Sequence, residues 1–420
     1  MSQTLSIRSK RLLRGALAFV ALCSGVAADV IVVDQNNGAG SDFSDLPQAI
    51  ASASHNDLLL VRSGSYSGFT TAKGIRILGL ESNVEVSGLC VIQNLHSSRK
   101  FVLSRLELTQ VEIRNCAGHV ALSQVDGYPR LSSVVILDSA DVRLSELYVV
   151  GREGVAQAVY IGASEVELVN SRVHGWTGPH DDWNYVGASG ETGVVIDDAS
   201  RVRISLSDID GGDGTDVWTE WWSEMPGDGA PAVHVKGESE VCITGDGTQV
   251  LQGGHCGWAG QFADEPGYGS TALFVEENSS VRRSGVECQG GWGPFSWEVG
   301  QITASGGTIE EPTVADPTLE MLGDPIPGQI LTMRVTGPPG GNVRYLLGRI
   351  PEVNYLGGFG PDLLVEIRIV NPGVIPASGV RDYDFILPGN LPQGMYFLGQ
   401  AKVVHQGTSY RTPSQVLLAH

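Results

Sequence analysis

Five segments of the chain fall on one register: VVILDSADVRLSELYVVG from Val134, AVYIGASEVELVNSRVHG from Ala158, GVVIDDASRVRISLSDIDGG from Gly193, AVHVKGESEVCITGDGTQVLQGG from Ala232 and ALFVEENSSVRRSGVECQGG from Ala272. Each has a short apolar strand, a small polar turn, a second strand begun by valine, and a glycine exit. The valines at 142, 166, 202, 241 and 281 mark the phase at intervals of 24, 36, 39 and 40 residues. One coil of this kind cannot bury its inward residues alone, so coils must stack, with equivalent positions ~4.8 Å apart. The first interval is one bare coil. The later ones are that coil plus an insertion that always follows the glycine exit, so the insertions emerge on one flank. Per-repeat insertions on one face commonly build a binding face.

Upstream, Phe43, Leu46, Ala49, Ile50 and Ala53 recur at helical spacing, which predicts a helix over about 43–54. Strands follow at Leu58 to Val61 and Gly74 to Gly79. This stretch, DFSDLPQAIASASHNDLLLVRSGSYSG…KGIRILG, resembles the opening of right-handed parallel β-helix proteins of the pectin-lyase-like group. The resemblance covers about forty residues and implies an amphipathic helix over the open end of the coil. It identifies architecture more than activity. The expected fold is all-β: a right-handed parallel β-helix from Asp29 to Gly307, a Pro-rich linker over 308–328, and a β-sandwich over 329–420. Strands at Ile330 to Val335, Leu363 to Val370 and Met395 to Val404, separated by turn signals, carry the sandwich expectation. This last segment resembles the C-terminal modules of exported proteins of environmental bacteria.

Residues 1–28 read as a secretory signal. Arg8, Lys10, Arg11 and Arg14 form a basic region, Gly15 to Gly25 an apolar run, and Val26-Ala27-Ala28 a cleavage site. The run is shorter than the ~20 residues of a membrane span. Cleavage removes four basic residues and takes the formal net charge from -20 to -24. So acidic a chain lacks the clustered Lys and Arg that nucleic acid requires. The expectation is a monomeric protein, secreted or on the cell surface of a bacterium. Five cysteines remain, an odd number, with Cys256–Cys288 the preferred disulfide and Cys90–Cys116 the second.

All 8 Trp lie in the four insertions: Trp176, Trp183, Trp218, Trp221, Trp222, Trp258, Trp292 and Trp297. Tyr185 and Tyr268 join them, as do Asp181, Asp182, Asp213, Asp216, Glu220 and Asp228. Rings beside carboxylates suit a sugar-binding surface, where rings stack on pyranose faces and carboxylates accept from hydroxyls. The same rings could instead pack among themselves and order the loops. The leading expectation is a non-catalytic module contacting carbohydrate or another extracellular polymer.

A polysaccharide-degrading enzyme is the alternative, with Asp181, Asp182, Asp213 or Asp216 as acid and base, a hydrolase needing carboxylates about 5–9.5 Å apart. Asp181-Asp182 and His174-Gly175 resemble the paired aspartates and His-Gly step of polygalacturonases. The order is reversed, and the accompanying Asn-Thr-Asp and Arg-Ile-Lys motifs are absent. The insertions hold no Arg or Lys to serve a lyase. A structural adhesin is the third reading. No phosphate loop, Rossmann fingerprint or GxSxG elbow occurs, so no organic cofactor is expected. His174, His180 and His255 lack transition-metal spacing. Asp213, Asp216, Glu220 and Asp228 form the candidate oxygen set for Ca²⁺.

Overall fold

The computed structural model describes residues 28–81, 83–125, 131–153, 157–178, 187–216, 226–257, 267–293, 301–313, 316–351, 364–387, 389, 396–412 and 415–418. The secretory segment expected at the N-terminus falls almost wholly outside them. No described helix is long and apolar enough to cross a membrane.

The chain is a parallel β-helix followed by a small antiparallel sandwich. One 13-stranded and one 10-stranded sheet face each other across the solenoid core. The valine phase is its spine: Val142 pairs with Val166, Val166 with Val202, Val202 with Val241 and Val241 with Val281, and the column runs on to Ile309. In the opposite sheet Val134, Val159, Val194, Val233 and Leu273 stack likewise. Every one of these side chains except Ile309 is buried in one continuous apolar cluster.

The corners are held by polar groups. Where the strand Val142–Val150 bends, Glu146 takes a left-handed conformation, and Arg105, Gln124, Asn170 and Leu206 do the same in neighbouring coils. Opposite this corner runs a column of buried serines. The backbone N–H of Ser139 donates to Ser164 Oγ (3.0 Å), Ser164 N–H to Ser200 Oγ (3.2 Å), Ser200 N–H to Ser239 Oγ (3.2 Å) and Ser239 N–H to Ser279 Oγ (3.3 Å). At a corner the sheet ladder is interrupted, and a buried N–H without a partner is costly. Serine is small enough to stack there and carries the missing acceptor.

Both ends of the core are closed. The helix Leu46–Ser52, capped by the Asp45 carboxylate, buries Leu46, Ala49 and Ile50 on the first coils. Lys73 Nζ donates to the carbonyls of Ile50, Ala51 and Ala53, satisfying the helix C-terminus. The strand Val30–Val33 precedes this helix and pairs with Leu58–Val61, so the first rung begins before the helix, not after it. At the other end the inward column Leu144, Leu168, Ile204, Ile243 stops at Arg283. Its guanidinium donates to Val286 O (3.1 Å) and Cys288 Sγ (3.0 Å) and pairs with Glu311.

The parallel ladder includes Thr308–Glu310, and Thr318–Leu322 already pairs antiparallel with Ile330–Thr336. The connector expected at 308–328 is therefore shorter, because Arg282 and Arg283 pin Asp316 and Glu311 to the last coil. The two antiparallel sheets share a core of Leu319, Leu331, Met333, Val343, Tyr345 and Val403. Leu346 of the sandwich packs with Leu58, Leu78, Val102 and Ala121 on the outer solenoid face. Further along that face Arg143 and Glu167 form a buried ion pair. Beside it, burial pushes the Asp141 carboxyl up, but His119 and Arg143 outweigh that and hold it well below the usual carboxylate range.

The five described cysteines, Cys90, Cys116, Cys242, Cys256 and Cys288, are free thiols, which corrects both expected disulfides. Cys288 points into the core opposite Leu251, whereas Cys256 lies past the end of its strand, outside the solenoid. Cys90 sits in mid-strand against Val111, while Cys116 occupies the first place of the serine corner, its N–H donating to Ser139 Oγ. Neighbouring coils brought each pair close in sequence phase but gave the two side chains different places.

Candidate functional site

The insertions leave from one edge of the solenoid. Arg172–His174, Asp208–Asp210 and the ends of Glu240–Gln252 and Ser280–Gln289 stack as a third face, and an insertion follows each. The described parts of the insertions are extended segments cross-linked sideways. The N–H of Glu191 donates to Trp176 O (2.9 Å), Gly212 to Glu191 O (2.9 Å), Ala230 to Gly212 O (3.0 Å), Gly254 to Ala230 O (2.8 Å), Ser270 to Gly254 O (3.0 Å) and Gly291 to Ser270 O (2.7 Å). Outgoing and returning segments thus alternate in one hydrogen-bonded platform beside the solenoid.

Glycine makes this packing possible. A Cβ on Gly212 would lie 1.9 Å from Trp176 O, one on Gly254 2.0 Å from Gly212 O, and one on Gly291 1.9 Å from Gly254 O. None of these three glycines has a positive φ, so they serve close lateral approach, not a turn.

Side chains return at one position, two residues after each exit glycine. There Asp213 N–H meets Thr177 Oγ1 (3.4 Å), His255 N–H donates to Asp213 Oδ1 (2.7 Å), and Trp292 N–H donates to His255 Nδ1 (2.9 Å). The next residue completes each contact: the N–H of Gly178, Gly214 and Cys256 donates to the carbonyl of Asp213, His255 and Trp292. The returning segments repeat the geometry, with Tyr268 N–H on Asp228 Oδ1 (2.8 Å) and Gly229 N–H on Tyr268 O (2.8 Å). Among the described residues both ladders end in a ring that faces solvent, Trp292 at 62% exposure and Tyr268 at 60%.

Of the other residues expected here, Trp176 is half-buried at the opposite end of the platform. Asp181, Asp182, Trp183, Tyr185, Trp218, Glu220, Trp221, Trp222, Trp258 and Trp297 lie outside the described residues, as does His180. Asp213, Asp216 and Asp228 share one neighbourhood: burial first, and then these three carboxylates, push the Cys256 thiol up to about 11. Among the described residues no group of three acidic, His or Cys side chains is arranged to hold a metal ion. Asp213 and Asp228 spend an oxygen each on backbone N–H groups instead. His174 Nδ1 is taken by Asp210 at 2.6 Å.

The sequence reading missed a second polar set, on the outward face of the sheet into which the insertions return. Lys236 Nζ lies 3.2 Å from Asp197 Oδ2, which also accepts from the Tyr160 hydroxyl (3.4 Å). His234 Nε2 meets Glu276 Oε1 at 2.7 Å, with the Phe274 ring 4.9 Å from the imidazole. Burial pushes the Asp197 carboxyl up, but the Asp198 N–H and Lys236 outweigh it and lower it; burial, then Asp197 and Asp198, raise the Tyr160 hydroxyl. The signal was in the aligned repeats: Tyr160, His234 and Phe274 share one outward column, and Asp197 and Glu276 another. No family model matches the chain, and neither does any curated protein.

Proposed function

We propose that this is an exported, non-catalytic β-helix protein of a bacterium, akin to the pectin-lyase-like group, that contacts carbohydrate or another extracellular polymer through its glycine platform. One observation carries the reading: two large aromatic rings, Trp292 and Tyr268, face solvent on adjacent hydrogen-bonded ladders, with Asp228 holding Tyr268. Rings on a rigid backbone lose little entropy on stacking against a sugar face. The arrangement favours binding over hydrolysis, because Asp213 is engaged in holding the platform. The Tyr160, Asp197 and Lys236 set supports the enzymatic alternative, a polysaccharide-degrading activity.

Affinity electrophoresis through polygalacturonate, alginate, arabinoxylan and mannan tests the proposal. Retardation is expected in at least one gel, and Trp292→Ala or Tyr268→Ala should weaken it about three- to tenfold. A wild-type protein that migrates freely in all four removes the reading. Release of reducing ends or unsaturated products, lost in Lys236→Met, favours the enzyme instead.

A further inference from the structure

At 62% exposure the Trp292 ring has little packing to fix it, so its direction is inherited from its backbone. Two bonds hold that backbone, and both come from the dipeptide His255-Cys256: Trp292 N–H on His255 Nδ1, and Cys256 N–H on Trp292 O, each 2.9 Å. Because the tryptophan side of the first bond is a backbone donor, Nδ1 is the acceptor and the imidazole proton sits on Nε2. His255 is itself seated by Asp213, whose Oδ1 takes the His255 N–H at 2.7 Å while Gly214 N–H holds the His255 carbonyl at 2.8 Å. Each ladder side chain therefore takes the next member's N–H, and the residue after it holds that member's carbonyl.

We propose that His255 is the positioning residue of Trp292 and Asp213 that of His255, so that a Thr177–Asp213–His255 relay sets the angle at which the indole meets a polymer. The inference rests on the binding reading above for its consequence, but not for its geometry. An acceptor at the place of Nδ1 is what the relay requires; the rest of the imidazole is dispensable. Asparagine supplies one, since its Oδ1 reaches about as far from the backbone, and alanine does not. Side-chain loss here strands no buried donor, because the N–H freed at Trp292 lies beside solvent. The effect belongs to ring placement more than to folding.

The test compares full-length wild type, His255→Ala and His255→Asn, each with a Trp292→Phe partner as fluorescence blank. Without any ligand, the Trp292 contribution to emission and its acrylamide quenching should change in His255→Ala and return to wild type in His255→Asn, at unchanged unfolding midpoint. In polygalacturonate, alginate and arabinoxylan gels, whichever retard the wild type, His255→Ala should weaken retardation about three- to tenfold and His255→Asn less than about twofold. Equal behaviour of the alanine and asparagine variants, or an alanine variant with unaltered Trp292 emission, overturns the relay. If none of these gels, nor mannan, retards the wild type while the fluorescence result holds, the binding reading fails and the positioning role stands.

Discussion

The solenoid and its platform are two answers to the same stacking problem, built alternately by the same coils. In the solenoid each coil meets the next through side chains, with columns of Val, Leu and Ile buried between two sheets. In the platform the backbones themselves touch, and Gly212, Gly254 and Gly291 leave no room for a Cβ. Side-chain packing tolerates a lost methyl at moderate cost, because neighbours relax into the space. Backbone packing at about 2 Å from a would-be Cβ has no such slack. The difference teaches where each region is vulnerable: the solenoid to deletion, the platform to addition.

The largest effect should follow from Gly212→Val. With a carbonyl oxygen 1.9 Å from the new Cβ, the platform must open, at a local cost above about 3 kcal/mol. Hydrogen exchange should show 211–216 and 226–231 deprotected while the valine columns stay protected; equal loss in both regions would merge the two into one cooperative unit. Asp141→Asn comes next, since it breaks a buried ion-pair network and should cost about 3 kcal/mol at neutral pH. Its folded-state carboxyl is lowered, so its contribution is complete above the usual carboxylate range and disappears as pH falls through the folded value. Chemical unfolding of wild type and variant should therefore converge in strong acid, and a constant gap across pH would contradict the assignment.

Ser200→Ala should cost about 1–2 kcal/mol by stripping the Ser164 N–H of its acceptor, without altering the apolar columns. A loss below ~0.3 kcal/mol in urea unfolding would mean that the serine corner contributes nothing. The smallest expected change is a gain. Ala163 is exposed and sits at φ 48°, so Ala163→Gly should stabilise the coil by about 0.5 kcal/mol, the reverse of what glycine does in a strand.

The valine phase could be read from the chain because a period of one coil forces equivalent residues into one column, and Val142, Val166, Val202, Val241 and Val281 do pair rung upon rung. The serines of the corner stood in the same aligned segments, two residues ahead of the valines at 166, 202, 241 and 281, but a small polar residue at a bend reads as any turn. The cysteines were misjudged for a related reason. Phase says which coil a residue belongs to, and not which way its side chain points once the strand has ended. The glycines that open the insertions were legible as exits from each coil, but not as places where one backbone lies directly against the next.

By itself, then, the sequence determined the coil, its period and the flank from which the insertions leave, since these follow from where apolar residues and glycines recur along the chain. Only the tertiary structure decided that the insertions form a backbone-packed platform, and that Asp213 and His255 serve Trp292. Those bonds join residues 37 and 42 positions apart through single backbone N–H groups. Such contacts leave no periodic mark, because each depends on two segments being brought side by side and not on the neighbours of either residue.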